Sequence, residues 1–169
     1  MRAGVMDENQ SEKSHRKEGK YLTFTLAGEE YGIGILQVKE IIGMITITPI
    51  PQTPSHVKGV INLRGKVIPV IDLRLKFGMP PMEYTERTCI IVIEVSQELG
   101  YILIGILVDS VSEVLNIKDA DIEDTPNFGA RLNTDFILGM AKAGNAIKIL
   151  LDIDRVMNAD EVAALEKAI

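Results

Sequence analysis

The sequence predicts an all-β protein made of two related small β-barrels that share a core, with short helices and a helix at the C-terminus. Three observations carry this. Ile and Val make up 36 of the 169 residues and fall in short runs bounded by Gly, Pro, Asn and Asp, which is the composition of strands. Two apolar segments, Val60–Leu63 and Val67–Leu73, flank Arg64-Gly65-Lys66, and Gly65 can supply the positive φ of a tight reversal, so residues 54–77 read as a β-hairpin. The chain also repeats. Gly32, Ile33, Ile35, Val38, Glu40, Ile41 and Ile42 recur 73 residues later as Gly105, Ile106, Val108, Val111, Glu113, Val114 and Leu115. Gly59, Val67, Val70, Ile71, Asp72 and Leu73 recur 80 residues later as Gly139, Ile147, Leu150, Leu151, Asp152 and Ile153. In so aliphatic a chain the Gly, Glu and Asp matches carry most of the weight, and barrel closure would spare both units open strand edges.

The elements follow in order. Residues 1–19 are rich in Glu, Lys, Ser and Asn without apolar periodicity and are expected to form a disordered tail. Tyr21–Ala27 alternates Leu22, Phe24 and Leu26 with Thr23 and Thr25, a half-buried strand, and Gly28-Glu29-Glu30 is expected to turn it into Tyr31–Ile33. Ile35, Val38 and Ile42 have helical spacing, so Leu36–Ile42 is expected as a short helix before a strand at Ile45–Thr48. Pro49, Pro51 and Pro54 then impose an irregular crossing. Pro69 cannot donate to a ladder, which predicts an edge position or a bulge for its strand.

Thr88–Val95 and Tyr101–Val108 are continuous apolar runs joined by Ser96–Gly100, a second hairpin buried on both faces. Ile117–Phe128 is acidic and breaks at Pro126, and Ile147–Ile153 is the last strong strand. Asn158 followed by Glu161 forms a capping-box pattern, and Val162, Leu165 and Ile169 share one face, so a helix is expected from about Ala159. The expected organisation is a tail at 1–19, one domain at 20–158 with subdomains of roughly 20–82 and 83–158 that can exchange strands, and a helix at 159–169.

Composition excludes several functions. A net charge of −6 and a pI near 5.0 oppose binding to a phosphate backbone, and 5% aromatic residues with no Trp oppose a base-stacking platform, so a nucleic-acid-binding barrel is the disfavoured alternative. Cys89 is the single cysteine, which leaves no internal disulfide framework and fits a reducing compartment. The N-terminus lacks a signal-peptide apolar run, and Glu94, Asp109 and Glu113 interrupt every stretch approaching the roughly 20 residues that span a bilayer. A soluble, cytoplasmic protein without membrane insertion is expected.

No catalytic, metal or cofactor-binding group is expected either. His15 lies in the tail and His56 in the Pro-flanked loop, where it reads as a surface histidine; neither belongs to a triad pattern. Cys89 lies in an apolar strand without an adjacent cation and reads as a packed or groove-lining thiol. Asp119, Asp121, Glu123 and Asp124 lack the spacing and central Gly of a calcium loop and read as solvated. Glu40 and Arg64, set in the two most patterned segments, offer a binding hypothesis, because arginine suits a planar ion pair or an interface anchor; taken alone, each reads as an ordinary solvated charge.

The segments EEYGIGILQVKEI (Glu29–Ile41), VKGVINLRGKVIPVIDLRLKFG (Val57–Gly78) and GILVDSVSEVL (Gly105–Leu115) are similar to the CheW family of bacterial chemotaxis coupling proteins, over nearly the whole chain outside the tail. The resemblance implies two five-stranded SH3-like barrels and a non-catalytic adaptor. Such adaptors tie the cytoplasmic tips of transmembrane chemoreceptors to the regulatory domain of the histidine kinase CheA and help assemble receptor arrays on the inner face of the membrane. Carried over by motif position, Val38, Glu40, Lys58, Gly59, Arg64 and Cys89 would lie at or near a receptor-binding groove, with Glu40 and Arg64 as an ion pair. The kinase contact is not placed by the resemblance. An isolated copy is expected to be a monomer that enters arrays through its partners. The alternative within this fold is an adaptor in a receptor–kinase pathway other than chemotaxis.

Overall fold

The computed structural model describes residues 17–97, 100–126, 135–157 and 159–168. The tail up to residue 16, with His15, lies outside the described residues. Within them the chain forms strands β1 (Gly19–Leu26), β2 (Glu29–Gly34), β3 (Val38–Gly43), β4 (Val57–Leu63), β5 (Lys66–Asp72), β6 (Cys89–Gln97), β7 (Gly100–Val108), β8 (Ser110–Ile117), β9 (Ile122–Glu123), β10 (Ile137–Ala143) and β11 (Ala146–Leu151). Helices α1 (Leu73–Lys76), α2 (Ile153–Val156) and α3 (Ala159–Ala168) join 3₁₀ turns at Ile35–Gln37 and Asp119–Asp121.

The strands form two sheets, ordered β8-β1-β2-β11-β10-β9 and β3-β6-β7-β5-β4. The two orders are the same architecture read twice. In the first sheet β11 lies parallel to β2 with Leu150 beside Gly32 and Leu151 beside Ile33; in the second, β5 lies parallel to β7 with Val70 beside Gly105 and Ile71 beside Ile106. Both sequence offsets are satisfied at once. The antiparallel partners agree too, since the register shift between Val57 and Gly59 on β4 has its counterpart between Ile137 and Gly139 on β10. Asp72 N donates to His56 O at 2.7 Å, and Asp152 N donates to Phe136 O at 2.8 Å. The short β9 stands where the second sheet has only the isolated Thr48–Val60 bridge, so each sheet has five full strands. In each parallel join one strand comes from the N-terminal half and one from the C-terminal half, so strands are exchanged between the two SH3-like units.

This explains why several strands are apolar without alternation. Along β6, Ile90 and Val92 enter a cluster with Ile61, Ile68, Val70 and Leu107 inside the second unit, while Ile91, Ile93 and Val95 enter the main cluster with Phe24, Leu26, Ile33, Ile104, Ile106, Leu151 and Ile153. The main cluster takes side chains from both sheets and is the shared core. A smaller cluster of Tyr21, Ile117, Ala141 and Leu150 fills the first unit. Each aliphatic side chain buried this fully is worth about 1.5–3 kcal/mol, an upper figure for a chain that is partly collapsed when unfolded.

Several expectations are corrected. Leu36–Ile42 is a single 3₁₀ turn followed by β3. A bulge between Val38 and Glu40 lets Val38 pack on the shared core while Ile42 packs inside the second unit, and that broken alternation imitated helical spacing. Ile45–Thr48 is not a strand, apart from the one bridge at Thr48. The first turn is Ala27-Gly28, both at positive φ, and Glu29 and Glu30 already belong to β2. Pro69 sits in an interior strand. It is tolerated because the ladder to β7 begins only at Val70, which leaves the proline opposite Val60 alone. Ile153 lies in α2, not in β11. Strands β8 and β10 lie outside the elements expected from the sequence, although the repeat relates them to β3 and β4.

Candidate partner-binding site

The turn between β4 and β5 holds only Arg64 and Gly65, at φ 50° and 86°, with Leu63 paired to Lys66. Two left-handed residues make a reversal whose twist matches the flanking strands. Asn62 Oδ1 accepts from Gly65 N at 2.8 Å and pins the turn. Arginine in this backbone region is unfavourable compared with glycine, so the turn projects a charged side chain at a conformational cost.

That side chain reaches β3. Arg64 Nη1 donates to Glu40 Oε1 at 2.9 Å and Nη2 to Oε2 at 2.5 Å, a two-pronged pair. β3 and β4 are the two ends of the second sheet's strand order, so the pair spans its edges. The hydrogen bond from Arg64 holds the Glu40 carboxyl below the ordinary glutamate range, and the same bond raises the guanidinium. Arg64 stays 70% exposed at its side chain, against 31% for Glu40. Near the pair on β3 and β4, Ile42 and Leu63 are only partly buried against the second unit's core. On the same edge Lys39 pairs with Glu94 at 2.5 Å. The result is a fixed, exposed guanidinium with donors to spare beside apolar side chains, a surface suited to recognising a protein.

The other residues singled out by sequence lie on the same sheet but apart from the pair. Val38, opposite Ile93, and Cys89, opposite Gly43, stand at the two ends of the β3–β6 ladder, both half-buried against the shared core. Cys89 Sγ donates to Arg87 O at 3.1 Å. Lys58 occupies the β4 bulge and Gly59 follows it, at the opposite end of β4 from Arg64, roughly 17 Å away at about 3.3 Å per residue. Gly59 has a structural task there: its φ is 139°, and a Cβ would lie 2.0 Å from Thr48 O.

His56 is not a solvated surface residue. Its Nε2 lies 3.0 Å from Glu161 Oε2, and Lys76 Nζ reaches the same carboxylate at 2.6 and 2.7 Å, so the loop, α1 and α3 meet at one half-buried clasp. The acidic segment is only partly free: Lys17 pairs with Asp124 and Lys142 with Glu123.

Sequence reasoning missed a second surface. Leu36, in the 3₁₀ turn, is 90% exposed, and Tyr101 is 67% exposed; both line a shallow depression with Gln37, Glu94, Ser96 and Asp154. The turn is fastened, because Gln37 Nε2 donates to Asp154 Oδ1 at 3.1 Å and Ser96 N donates to the same oxygen at 2.9 Å. An apolar side chain held out on a braced turn has the form of an interface anchor. The signal was an isolated Leu between Ile35 and Gln37, which the helical reading absorbed.

Comparison with known proteins bears on these surfaces. Residues 20–161 match the family model described as the CheW-like domain. The chain is 41% identical over 147 residues to the chemotaxis protein CheW of Klebsiella aerogenes, covering 87% of this chain and 86% of that protein. It is 35% identical over 140 residues to the chemotaxis protein CheW of Rhizobium meliloti, covering 83% and 88%. Among solved structures it resembles the crystal structure of the scaffolding protein TtCheW from Thermoanaerobacter tengcongensis, with a TM-score of 0.75, 35% identity and coverage of 85% of this chain and 95% of that one.

Proposed function

The chain belongs to the CheW-like domain family, and from that premise we propose that it is a non-catalytic adaptor coupling chemoreceptors to the histidine kinase CheA in bacterial chemotaxis. The observation that supports this best is the Arg64–Glu40 pair, which stays exposed at a sheet edge and is held by a turn that would be less strained with glycine. The receptor tip docks on the face around Glu40 and Arg64, with Val38, Lys58, Gly59 and Cys89 shaping the sheet that carries it.

An adaptor needs a second surface. The Leu36 and Tyr101 patch takes the regulatory domain of the kinase, because its braced turn holds out an exposed apolar side chain as an anchor. No helix among the described residues is long and apolar enough to cross a membrane. The adaptor works at the cytoplasmic side of receptor arrays and reaches the membrane only through its partners. Its working domain is residues 20–158, with subdomains near 20–82 and 83–158 that exchange strands.

Co-sedimentation of the full chain with receptor-tip and kinase regulatory-domain fragments tests the reading. Capture of the chain by each fragment, and of both together through it, is the expected result; failure to bind either would overturn it.

A further inference from the structure

The duplicated hairpins supply an internal comparison for the turn that carries Arg64. In the first unit β10 and β11 close with Ala143 paired to Ala146, and the position of Arg64 is taken by Gly144, at φ 64°. Glycine adopts that backbone without steric cost. In the second unit Leu63 pairs with Lys66 and the same position holds Arg64, at φ 50°, where a Cβ is unfavourable. The residues two positions earlier differ accordingly. Asn62 Oδ1 accepts from Gly65 N at 2.8 Å across the turn, whereas its counterpart Lys142 has no acceptor to offer and pairs with Glu123 instead.

Another two-residue reversal follows the same rule. The turn between β1 and β2 holds Ala27 at φ 51° and Gly28 at 82°, again with a non-glycine residue first, and there Ala27 N donates to Asp109 Oδ2 at 2.8 Å. Both strained turns are tied by a side-chain acceptor. At Ala27 the tie supports a methyl group; at Arg64 it supports a guanidinium that stays 70% exposed and reaches Glu40 with both η nitrogens. Asn62 is itself exposed on β4, opposite Val67, and fills no space in the core.

We propose that Asn62 is a positioning residue of the receptor face: by fixing Gly65 N it holds the turn in the conformation that aims Arg64 at Glu40 and presents the guanidinium to the receptor tip. This rests on the adaptor reading of Arg64. Without the tie the turn escapes the left-handed conformation at Arg64, the guanidinium samples other directions, and binding must order it again at a cost in affinity.

The test compares Asn62→Ala, Asn62→Asp and Arg64→Ala in the full-length protein. Asn62→Ala, which removes the acceptor, should bind a receptor-tip fragment about fivefold more weakly than the parent, and Asn62→Asp, which keeps an acceptor in place, should stay within about twofold. In the Arg64→Ala background Asn62→Ala should have no further effect, because a residue that acts through Arg64 has nothing left to position. A readout without receptor comes from the Glu40 carboxyl, which Arg64 holds below the ordinary glutamate range. Its NMR titration should move back up in Asn62→Ala and stay in place in Asn62→Asp. An unmoved Glu40 titration in Asn62→Ala overturns the proposal. So does an equal loss of affinity in the Arg64→Ala background, which would make Asn62 a direct receptor contact. Weak binding by Arg64→Ala beside parental binding by Asn62→Ala overturns the proposal alone, whereas parental binding by Arg64→Ala sinks the receptor reading and the proposal with it.

Discussion

Arg64 and Glu40, 24 residues apart in the chain, join the two edges of one sheet through a two-pronged hydrogen bond that remains open to solvent. The pair depends on a backbone that prefers glycine at the position of its arginine. Arg64→Gly should therefore relax the turn and raise the thermal midpoint by a few degrees while removing the charged group. A calorimetric scan showing a lower midpoint would mean that the pair contributes more to folding than the left-handed turn costs.

The repeated glycines allow a ranked prediction. At Gly59 a Cβ would meet Thr48 O at 2.0 Å and adopt φ 139°; at Gly139 it would meet Ile122 Cγ2 at 2.8 Å and Glu123 O at 3.0 Å without a positive φ; at Gly32 its nearest neighbour would be Leu150 Cδ2 at 3.0 Å. Flexible side chains yield and a backbone carbonyl does not. Urea unfolding of the three alanine variants should give the order Gly59 worst, then Gly139, then Gly32, with Gly59→Ala costing about 3 kcal/mol or more.

Arg74 and Asp109 give the stability a pH dependence. Arg74 Nε and Nη2 donate to the two oxygens of Asp109 at 2.7 and 2.9 Å, and Ala27 N donates at 2.8 Å. Burial works to raise the Asp109 carboxyl, but the hydrogen bond from Arg74, that from Ala27 and the guanidinium charge together hold it below the usual aspartate range. A depressed folded-state value means stability that is complete above the unfolded value of about 3.9 and is lost as pH falls through the folded one. Arg74→Met should cost about 1–2 kcal/mol at neutral pH. In urea titrations this deficit should shrink as pH falls below the unfolded value of about 3.9, where the parent progressively loses the same contribution.

The Glu161 clasp should control α3. The helix has ten residues, a marginal length on its own, and Leu165 is its one fully buried side chain among those described. Glu161→Gln keeps the shape but weakens the contacts to Lys76 and His56, and should loosen the helix by about 1 kcal/mol. Hydrogen exchange in α3 should then quicken about fivefold while β5, β6 and β7 keep their protection. Equal acceleration throughout the sheets would show that the clasp supports the whole fold.

How far the sequence could be read follows from these residues. The hairpin at Arg64-Gly65, the strands of β6 and β7 and the duplication were legible, because turn glycines and runs of β-branched residues are local signals. The repeat even encoded the parallel joins, since Gly32 beside Leu150 and Gly105 beside Val70 satisfy both offsets. What failed was also physical. The bulge at Val38–Glu40 broke the alternation of β3 and gave it a helical look, and the tolerance of Pro69 depends on where a partner strand begins, which no local window contains. The pairing of Glu40 with Arg64 is a long-range fact suggested by family resemblance. Leu36 left only the faint signal of an isolated apolar residue, because the bracing that makes it an anchor comes from Asp154 and Ser96, far away in the chain.

The most direct test of the adaptor reading is the affinity of Arg64→Ala for a receptor-tip fragment, measured together with its thermal midpoint. The expected result is affinity lower by about thirtyfold or more with a midpoint within about 2 °C of the parent, and partial recovery of binding in the Glu40→Arg, Arg64→Glu exchange. Parental affinity in Arg64→Ala, or a loss of binding explained entirely by unfolding, would contradict it.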